Sequence, residues 1–312
     1  MKIINDFDLR KQAENLGVSI WKTPSFLFIV VGLINIIAMT ATFFISRSYD
    51  EPRVIVVAEA LVVSVIFIIG NFIIRQTEEM AKLNKLKSEF VSVTSHQLRT
   101  PLSAIRWETE LMLTKFNEGL NDKQRGSVAT INILANRMTR LVNDLLDVTK
   151  IDQGKLLLNK DEVDIVEVIT DVAGNFSALA GAKNIQIIVN KKGEVQNVIA
   201  DKERIRLVVE NLLSNSIKYT LARGRIEIGL SRTGNFLVFS IKDDGVGIPK
   251  EQQSQIFNKF FRSSNITRYQ TDGTGLGLYI AKSIIEQSGG KIWFDSRENI
   301  GSVFNFSLPL YR

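Results

Sequence analysis

A chain of 312 residues with no cysteine and a single histidine can build neither a disulfide framework nor a metal centre made of histidine and cysteine, and it has no thiol nucleophile. Its hydrophobic content of 45% excludes disorder and leaves room for folded domains beside apolar segments. The net charge of +6 is spread along the chain without a basic run interleaved with aromatics, so nucleic acid is not an expected partner.

Residues 1–24 are polar and mixed in charge, and Trp21-Lys22-Thr23-Pro24 leads into an uncharged run from Phe26 to Ile45, long enough for a membrane-spanning helix. No small-residue cleavage pattern follows at Phe43-Phe44-Ile45-Ser46-Arg47, which argues against a signal peptide. A second apolar run, Val54 to Ile74, comes after the short stretch Ser46 to Arg53, and the pair predicts a transmembrane hairpin over 25–74. Arg10, Lys11 and Lys22 precede the first run, and Arg75, Lys82, Lys85 and Lys87 follow the second, against Arg47 and Arg53 between them. That bias predicts a two-pass protein of the cytoplasmic membrane with both termini inside. The outer loop is too short to bury a core, so a stimulus is expected through the membrane, a membrane-protein partner or the cell interior. Asn35, Glu59 and Asn71 lie within the spans, where polar groups are functional candidates. Glu59 sits near the outer end and can equally snorkel or line a dimer contact.

From Arg75 the helical pattern runs on through Leu83, Leu86, Phe90 and Val93 to Gln97, an apolar seam at three- and four-residue spacing with His96 on its accessible edge. The lone histidine stands in Ser95-His96-Gln97-Leu98-Arg99-Thr100-Pro101-Leu102, with a helix-bending proline five residues later. Taken alone, His96 reads as a helix-surface residue and Pro101 as a helix end. The pattern resumes at Leu102, Ile105, Leu111 and Met112, ends near Lys115, and is broken by turn chemistry at 116–122. A second helix follows with Ile131, Leu134, Met138, Leu141, Leu145 and Val148 on its seam, closed by a glycine stop at Gly154. Two such seams cannot be buried within one hairpin, so two copies pairing into a four-helix bundle, a homodimer, is the economical solution.

Beyond Gly154 the periodicity changes to that of an α+β domain with hairpins. Strands are predicted near 156–158, 185–189, 198–200, 225–231, 236–242, 291–295 and 303–308, with helices over 165–180, 202–219 and 276–287. Three patches carry chemistry. Asn211, Asn215 and Lys218 share one helical face, where an amide oxygen can serve magnesium and a lysine phosphate; alone, the patch reads as the polar face of an amphipathic helix. Asp243-Asp244-Gly245-Val246-Gly247 ends an apolar strand, where a carboxylate can accept from an amino group and glycines admit a flat ring, or simply form a tight turn. Asp272-Gly273-Thr274-Gly275-Leu276-Gly277-Leu278 precedes a helix whose first amides would face an anion.

The octapeptide around His96 resembles the phosphoacceptor box of membrane sensor histidine kinases, usually Ser-His-Glu-Leu-Arg-Thr-Pro-Leu, with Gln97 in place of the glutamate. The three later patches, in order, resemble the N, G1 and G2 boxes of the ATP-binding domain shared by histidine kinases, gyrase-type topoisomerases and Hsp90-type chaperones. Ile256-Phe257-Asn258-Lys259-Phe260-Phe261-Arg262 looks like the F box found only in the kinases, and the resemblance covers roughly 83–312. It implies a multi-domain chain: a transmembrane hairpin (helices about 26–45 and 54–74), a helical linker over 75–88, a dimeric four-helix-bundle phosphotransfer domain over 89–154, and an α+β sandwich of the GHKL type over 155–312.

The resemblance also implies residue roles with ATP and Mg2+ as cofactors: His96 as acceptor, Asn215 on magnesium, Asn211 and Lys218 near the phosphates, Tyr219 against adenine and Asp243 bonding its amino group beside Gly245 and Gly247. Phe260 and Arg262 of the F box and Thr274, Leu276 and Leu278 of the last box are implied to bind nucleotide; Gly273, Gly275 and Gly277 anchor a lid spanning about 245–274, with 263–269 as its mobile part. A cytoplasmic response regulator is the implied partner, with Thr100 orienting water for its dephosphorylation. Gln97 can accept a hydrogen bond from the imidazole but cannot take its proton. Slow autophosphorylation is therefore expected, with a phosphatase-dominant or pseudokinase regulator as the alternative.

Overall fold

The computed structural model describes residues 19–46, 52–191, 196–263 and 273–311. The expected cytoplasmic segment up to residue 18, residues 47–51 of the loop and residues 264–272 of the expected lid lie outside them. The chain forms two compact units, 1–97 and 98–312.

In the first unit, helix α1 (Pro24–Ser46) starts with proline, whose missing donor is harmless in a first turn, and the Thr23 hydroxyl accepts from the Phe26 amide at 3.4 Å. Helix α2 (Pro52–Thr114) opens in this unit, and its turns from Leu98 onward belong to the second. Both helices are long and apolar enough to cross a membrane. Their polar side chains turn inward on their own backbone: Thr40, Thr42 and Thr77 hydroxyls and the Asn71 amide each donate to the carbonyl four residues back. Gly70 lets α1 and α2 approach, because a Cβ there would lie 2.5 Å from Val31 Cγ1. Rather than ending at Pro101, α2 carries it in its interior and continues to Thr114.

Helix α3 (Asp122–Asp152) begins with a reciprocal cap: Asn121 Oδ1 accepts from the Gln124 amide at 2.9 Å while Gln124 Oε1 accepts from the Asn121 amide at 3.0 Å. Val128, Ala135, Val142 and Val148 are its buried residues, whereas Ile131, Leu134, Met138 and Leu141 are exposed in the single chain. The helix closes with Gly154 at φ 65°, the left-handed stop that glycine adopts without strain.

Next come strand β1 (Asp161–Val163), helix α4 (Ile165–Ala182), strands β2 (Gln186–Lys191) and β3 (Val198–Ala200), and helix α5 (Lys202–Tyr219). Strands β4 (Arg225–Thr233) and β5 (Phe236–Asp243), helix α6 (Gly277–Gln287), and strands β6 (Ile292–Arg297) and β7 (Gly301–Pro309) complete the unit. The main sheet has the order β2-β4-β5-β7-β6, antiparallel except for the parallel β2–β4 pair, and β1 pairs with β3 apart from it. The strand expected at 156–158 is irregular chain instead. Leu156 is buried there but Leu157 is 85% exposed, and the backbone ladder forms with β3 only at Asp161–Val163. Helix α4 also meets the length and composition of a span, yet Ile165, Val168, Ile169 and Val172 are fully buried in the core of this unit.

Alternation decides which face of the sheet that core covers: Ile226, Ile228 and Leu230 on β4, Leu237, Phe239 and Ile241 on β5, and Phe304, Phe306 and Leu308 on β7 are buried. Phe239 and Phe306 are cross-strand partners whose rings stack at 4.6 Å. Phe239→Ala is therefore expected to lower the stability of this domain by about 3–5 kcal/mol, measured by denaturant unfolding.

Candidate functional site

The alternation of β5 continues two residues past Ile241, so Asp243 takes the next buried place and is 5% exposed. Its Oδ1 accepts from the Gly245 amide at 3.1 Å and the Ser302 amide at 3.3 Å, and its Oδ2 from the Ser216 hydroxyl at 3.4 Å. Burial pushes the carboxyl up from 3.8 to about 6, against the pull of those three hydrogen bonds. The glycines beside it are required by space. A Cβ on Gly245 would lie 2.6 Å from the Tyr219 carbonyl oxygen, and one on Gly247, at φ 63°, would lie 2.0 Å from that of Arg297.

Helix α5, capped by Asp201 accepting from the Arg204 amide, buries Val208, Val209, Leu212, Leu213, Ser216 and Ile217. This leaves Asn211, Asn215 and Lys218 half-buried along its other face, with Tyr219 at its end. Asn211 Nδ2 is buried without a hydrogen-bond partner, and its Oδ1 would lie 3.0 Å from a Cβ on Gly277, at the start of α6. The Lys218 ammonium lies 4.9 Å from the centre of the Tyr219 ring. Burial raises the Tyr219 hydroxyl above its ordinary range, and Arg262 opposes that shift.

The loop before α6 closes on the same region. Gly273, at φ 141°, has its Cβ position 2.9 Å from Lys218 Nζ; Gly275, at φ 71°, packs on the backbone of Phe260, where a Cβ would lie 2.7 Å away. Phe260 itself takes a left-handed φ of 61° and is 63% exposed. The Thr274 hydroxyl accepts from the Leu276 amide at 3.1 Å, Leu276 is buried and Leu278 half-buried.

Asn211, Asn215, Lys218, Tyr219, Asp243, Gly245, Gly247, Phe260, Arg262 and Gly273 to Leu278 thus share the second unit. A buried carboxylate acceptor, an orphaned amide and the amino terminus of α6 beside a lysine are chemistry suited to an amino-substituted ring and a polyanion. Among the described residues no cluster of three His, Cys, Asp or Glu could hold a metal, and the side-chain amides of Asn211 and Asn215 are the oxygen donors that α5 offers a hard cation here. His96 and Gln97 lie on α2 in the first unit, and Thr100 in the second; all three are exposed. Ser216 and Ser302, which hold Asp243, escaped the sequence reading. Ser302 lies 59 residues away and contributes only a backbone amide, for which sequence carries no signal.

Residues 86–154 match the family model of the His Kinase A (phospho-acceptor) domain, and 200–312 that of the histidine kinase-, DNA gyrase B- and HSP90-like ATPase. The chain is 33% identical to the sensor histidine kinase WalK of Bacillus subtilis over 239 residues, covering 76% of this chain and 39% of that protein. It is 33% identical to the adaptive-response sensory kinase SasA of Synechocystis over 243 residues, covering 76% and 63%. It thus spans less than two thirds of either relative. Among solved structures, full-length ShkA in complex with AMPPNP matches with a TM-score of 0.59 and 28% identity over 71% of this chain and 46% of that one. Histidine kinase ThkA in complex with the response regulator TrrA matches with a TM-score of 0.50 and 28% identity, over 76% and 66%.

The raised pKa of Asp243 has a defined sign. Its protonated form is favoured by folding, so the stability it lends is full below pH 3.8 and is lost as pH rises through about 6. The stability of the wild type relative to Asp243→Asn is expected to fall by about 3 kcal/mol across that window and to be flat on either side, read from denaturant midpoints against pH.

Proposed function

We propose, for a chain that belongs to the sensor histidine kinases, that it binds ATP in the second unit, phosphorylates its own His96 and passes the phosphoryl group to an aspartate of a separate response regulator. The observation that carries this reading is Asp243, buried at a strand end with Gly245 and the end of α5 packed against it, an acceptor suited to the amino group of adenine. Tyr219 would lie along the ring, Lys218 and the first amides of α6 would meet the phosphates, and Asn215 would hold Mg2+, which neutralises charge on the β- and γ-phosphates. Gly245, Gly247 and the Gly273–Gly277 loop keep backbone close to the nucleotide.

In the transfer, an imidazole nitrogen of His96 attacks the γ-phosphorus, the bond from that phosphorus to the β,γ-bridging oxygen breaks, ADP leaves, and the proton on the other ring nitrogen passes to water. The attacking nitrogen must carry its lone pair, so the reactive form is the neutral imidazole. Gln97 can orient the ring through its amide oxygen but removes no proton. Catalysis then falls on positioning and electrostatics, with a general base otherwise contributing about 10²- to 10⁴-fold. Thr100 orients water when the phosphorylated partner is hydrolysed. The comparisons do not favour the phosphatase-dominant or pseudokinase alternative.

The domain boundaries proposed are 1–24, 25–74, 75–88, 89–154 and 155–312. The exposed Ile131, Leu134, Met138 and Leu141 of α3 and Leu83, Leu86, Phe90 and Val93 of α2 support a homodimer in which a second copy covers these seams. The apolar α1 and the first half of α2 support a two-pass chain in lipid with its termini in the cytoplasm, open to a membrane-protein partner and to a sensing role for Glu59.

Purified full chain incubated with γ-labelled ATP is expected to incorporate label slowly. His96→Gln should abolish incorporation and Gln97→Glu should speed it tenfold or more. A wild type that binds ATP yet takes up no label overturns the kinase reading, and an unchanged rate in Gln97→Glu shows the carboxylate to be dispensable.

A further inference from the structure

Helix α3 sends one carboxylate to the phosphate-binding loop. Asp144, Asp147, Val148, Ile151 and Asp152 share a face of the helix, and this face meets the nucleotide domain. Val148 is buried in that domain's core. Asp147 pairs with Arg204 at 2.9 Å, and Asp152 pairs with Lys259 at 2.5 Å and accepts from the Tyr279 hydroxyl at 2.9 Å. These contacts hold the one to two turns that follow Asp144, whose Oδ2 accepts from the Thr274 hydroxyl at 3.2 Å. The same hydroxyl accepts from the Leu276 amide, one of the donors at the start of α6, and the neighbouring Gly273 abuts the Lys218 ammonium. A negative group is thereby held one hydroxyl away from amides and a lysine arranged to receive anions.

We infer that Asp144 is a charge gate on this loop: the Asp144–Thr274 contact and the binding of a nucleoside triphosphate oppose each other, so docking of α3 weakens ATP binding and ATP loosens the docked helix. The inference rests on the proposed ATP site. Two like charges brought this close repel even at the intermediate dielectric of a protein edge, and the ion pairs at Asp147 and Asp152 keep the following turns of the helix docked while they do so. Burial already lifts the Asp144 carboxyl above its ordinary value, opposed by the Thr274 hydrogen bond, while Asp147 adds to the lift and Arg140 opposes it. The charge is thus carried at a cost before any phosphate arrives. Linkage makes the effect reciprocal: whatever factor docking takes from ATP affinity, ATP takes from docking.

The test is equilibrium binding of a fluorescent non-hydrolysable ATP analogue and of the matching uncharged adenosine analogue to the full chain in detergent. Asp144→Asn keeps an oxygen for Thr274 and removes the charge; it should bind the triphosphate about three- to tenfold more tightly, less so at high salt, with adenosine affinity unchanged. Asp144→Glu should return towards the wild type, and Asp152→Asn, which slackens one anchor, should shift triphosphate affinity in the same direction by a smaller factor. Equal affinities in wild type and Asp144→Asn, or parallel changes for triphosphate and adenosine, overturn the gate and leave the ATP site standing. No binding of either analogue by any form overturns the ATP reading and the gate with it.

Discussion

Asp243 occupies the next buried position of a strand whose earlier buried residues are Leu237, Phe239 and Ile241, so the alternation that builds the core also delivers a carboxylate to its edge. A charge in that place is costly, and the surrounding backbone answers it with donors: the Gly245 and Ser302 amides and the Ser216 hydroxyl. Those donors come from three segments that must all approach one point. This explains the glycines around it. A Cβ on Gly301 would lie 2.1 Å from the Asp243 carbonyl oxygen, and one on Gly245 2.8 Å from its Oδ1. The carboxylate remains energetically poised, with its pKa near 6, so an amino donor arriving in the site would stabilise the ionised form that burial disfavours.

Much of this was legible because it is local. Helix α5 covers Lys202–Tyr219, as its apolar spacing predicts, and its cap is the residue before it, Asp201. The turn at Gly154 and the strand ending in Asp243 follow equally from neighbours in sequence. The relation between Asn211 and Gly277 was implied only by the resemblance to the kinase ATP-binding domain, since two half-buried polar patches have no pattern that joins them.

What escaped was long-range. The three leucines at 156–158 look like strand by composition, but a strand is a ladder. The partner β3 lies beside 161–163, where Asp161 and Glu162 would have argued against the assignment. The parallel pairing of β2 with β4 across helix α5 is likewise set by how the helices cover one face of the sheet, not by either strand. Pro101 shows the reverse case: taken alone it reads as a helix end, but the apolar spacing that resumes at Leu102 carries the helix through it, because one missing donor is a local penalty of about 3 kcal/mol that a helix as long as α2 absorbs.

Helix α3 joins two different surfaces through one rigid rod. Near its start it is fixed by the reciprocal cap of Asn121 and Gln124, and at its end by Gly154, so its ends are defined and its 31 residues span roughly 45 Å at 1.5 Å per residue. Toward its middle it leaves apolar side chains exposed among the described residues; its last turns carry the carboxylates that reach Arg204, Lys259 and Thr274. A helix does not change its own twist cheaply, so rotation at the apolar seam moves those carboxylates with it. Each 100° step between successive residues means that even a fraction of one step carries Asp144 away from Thr274. Packing at the apolar seam and the charge beside the loop before α6 are therefore one mechanical variable, read at two ends of the same helix.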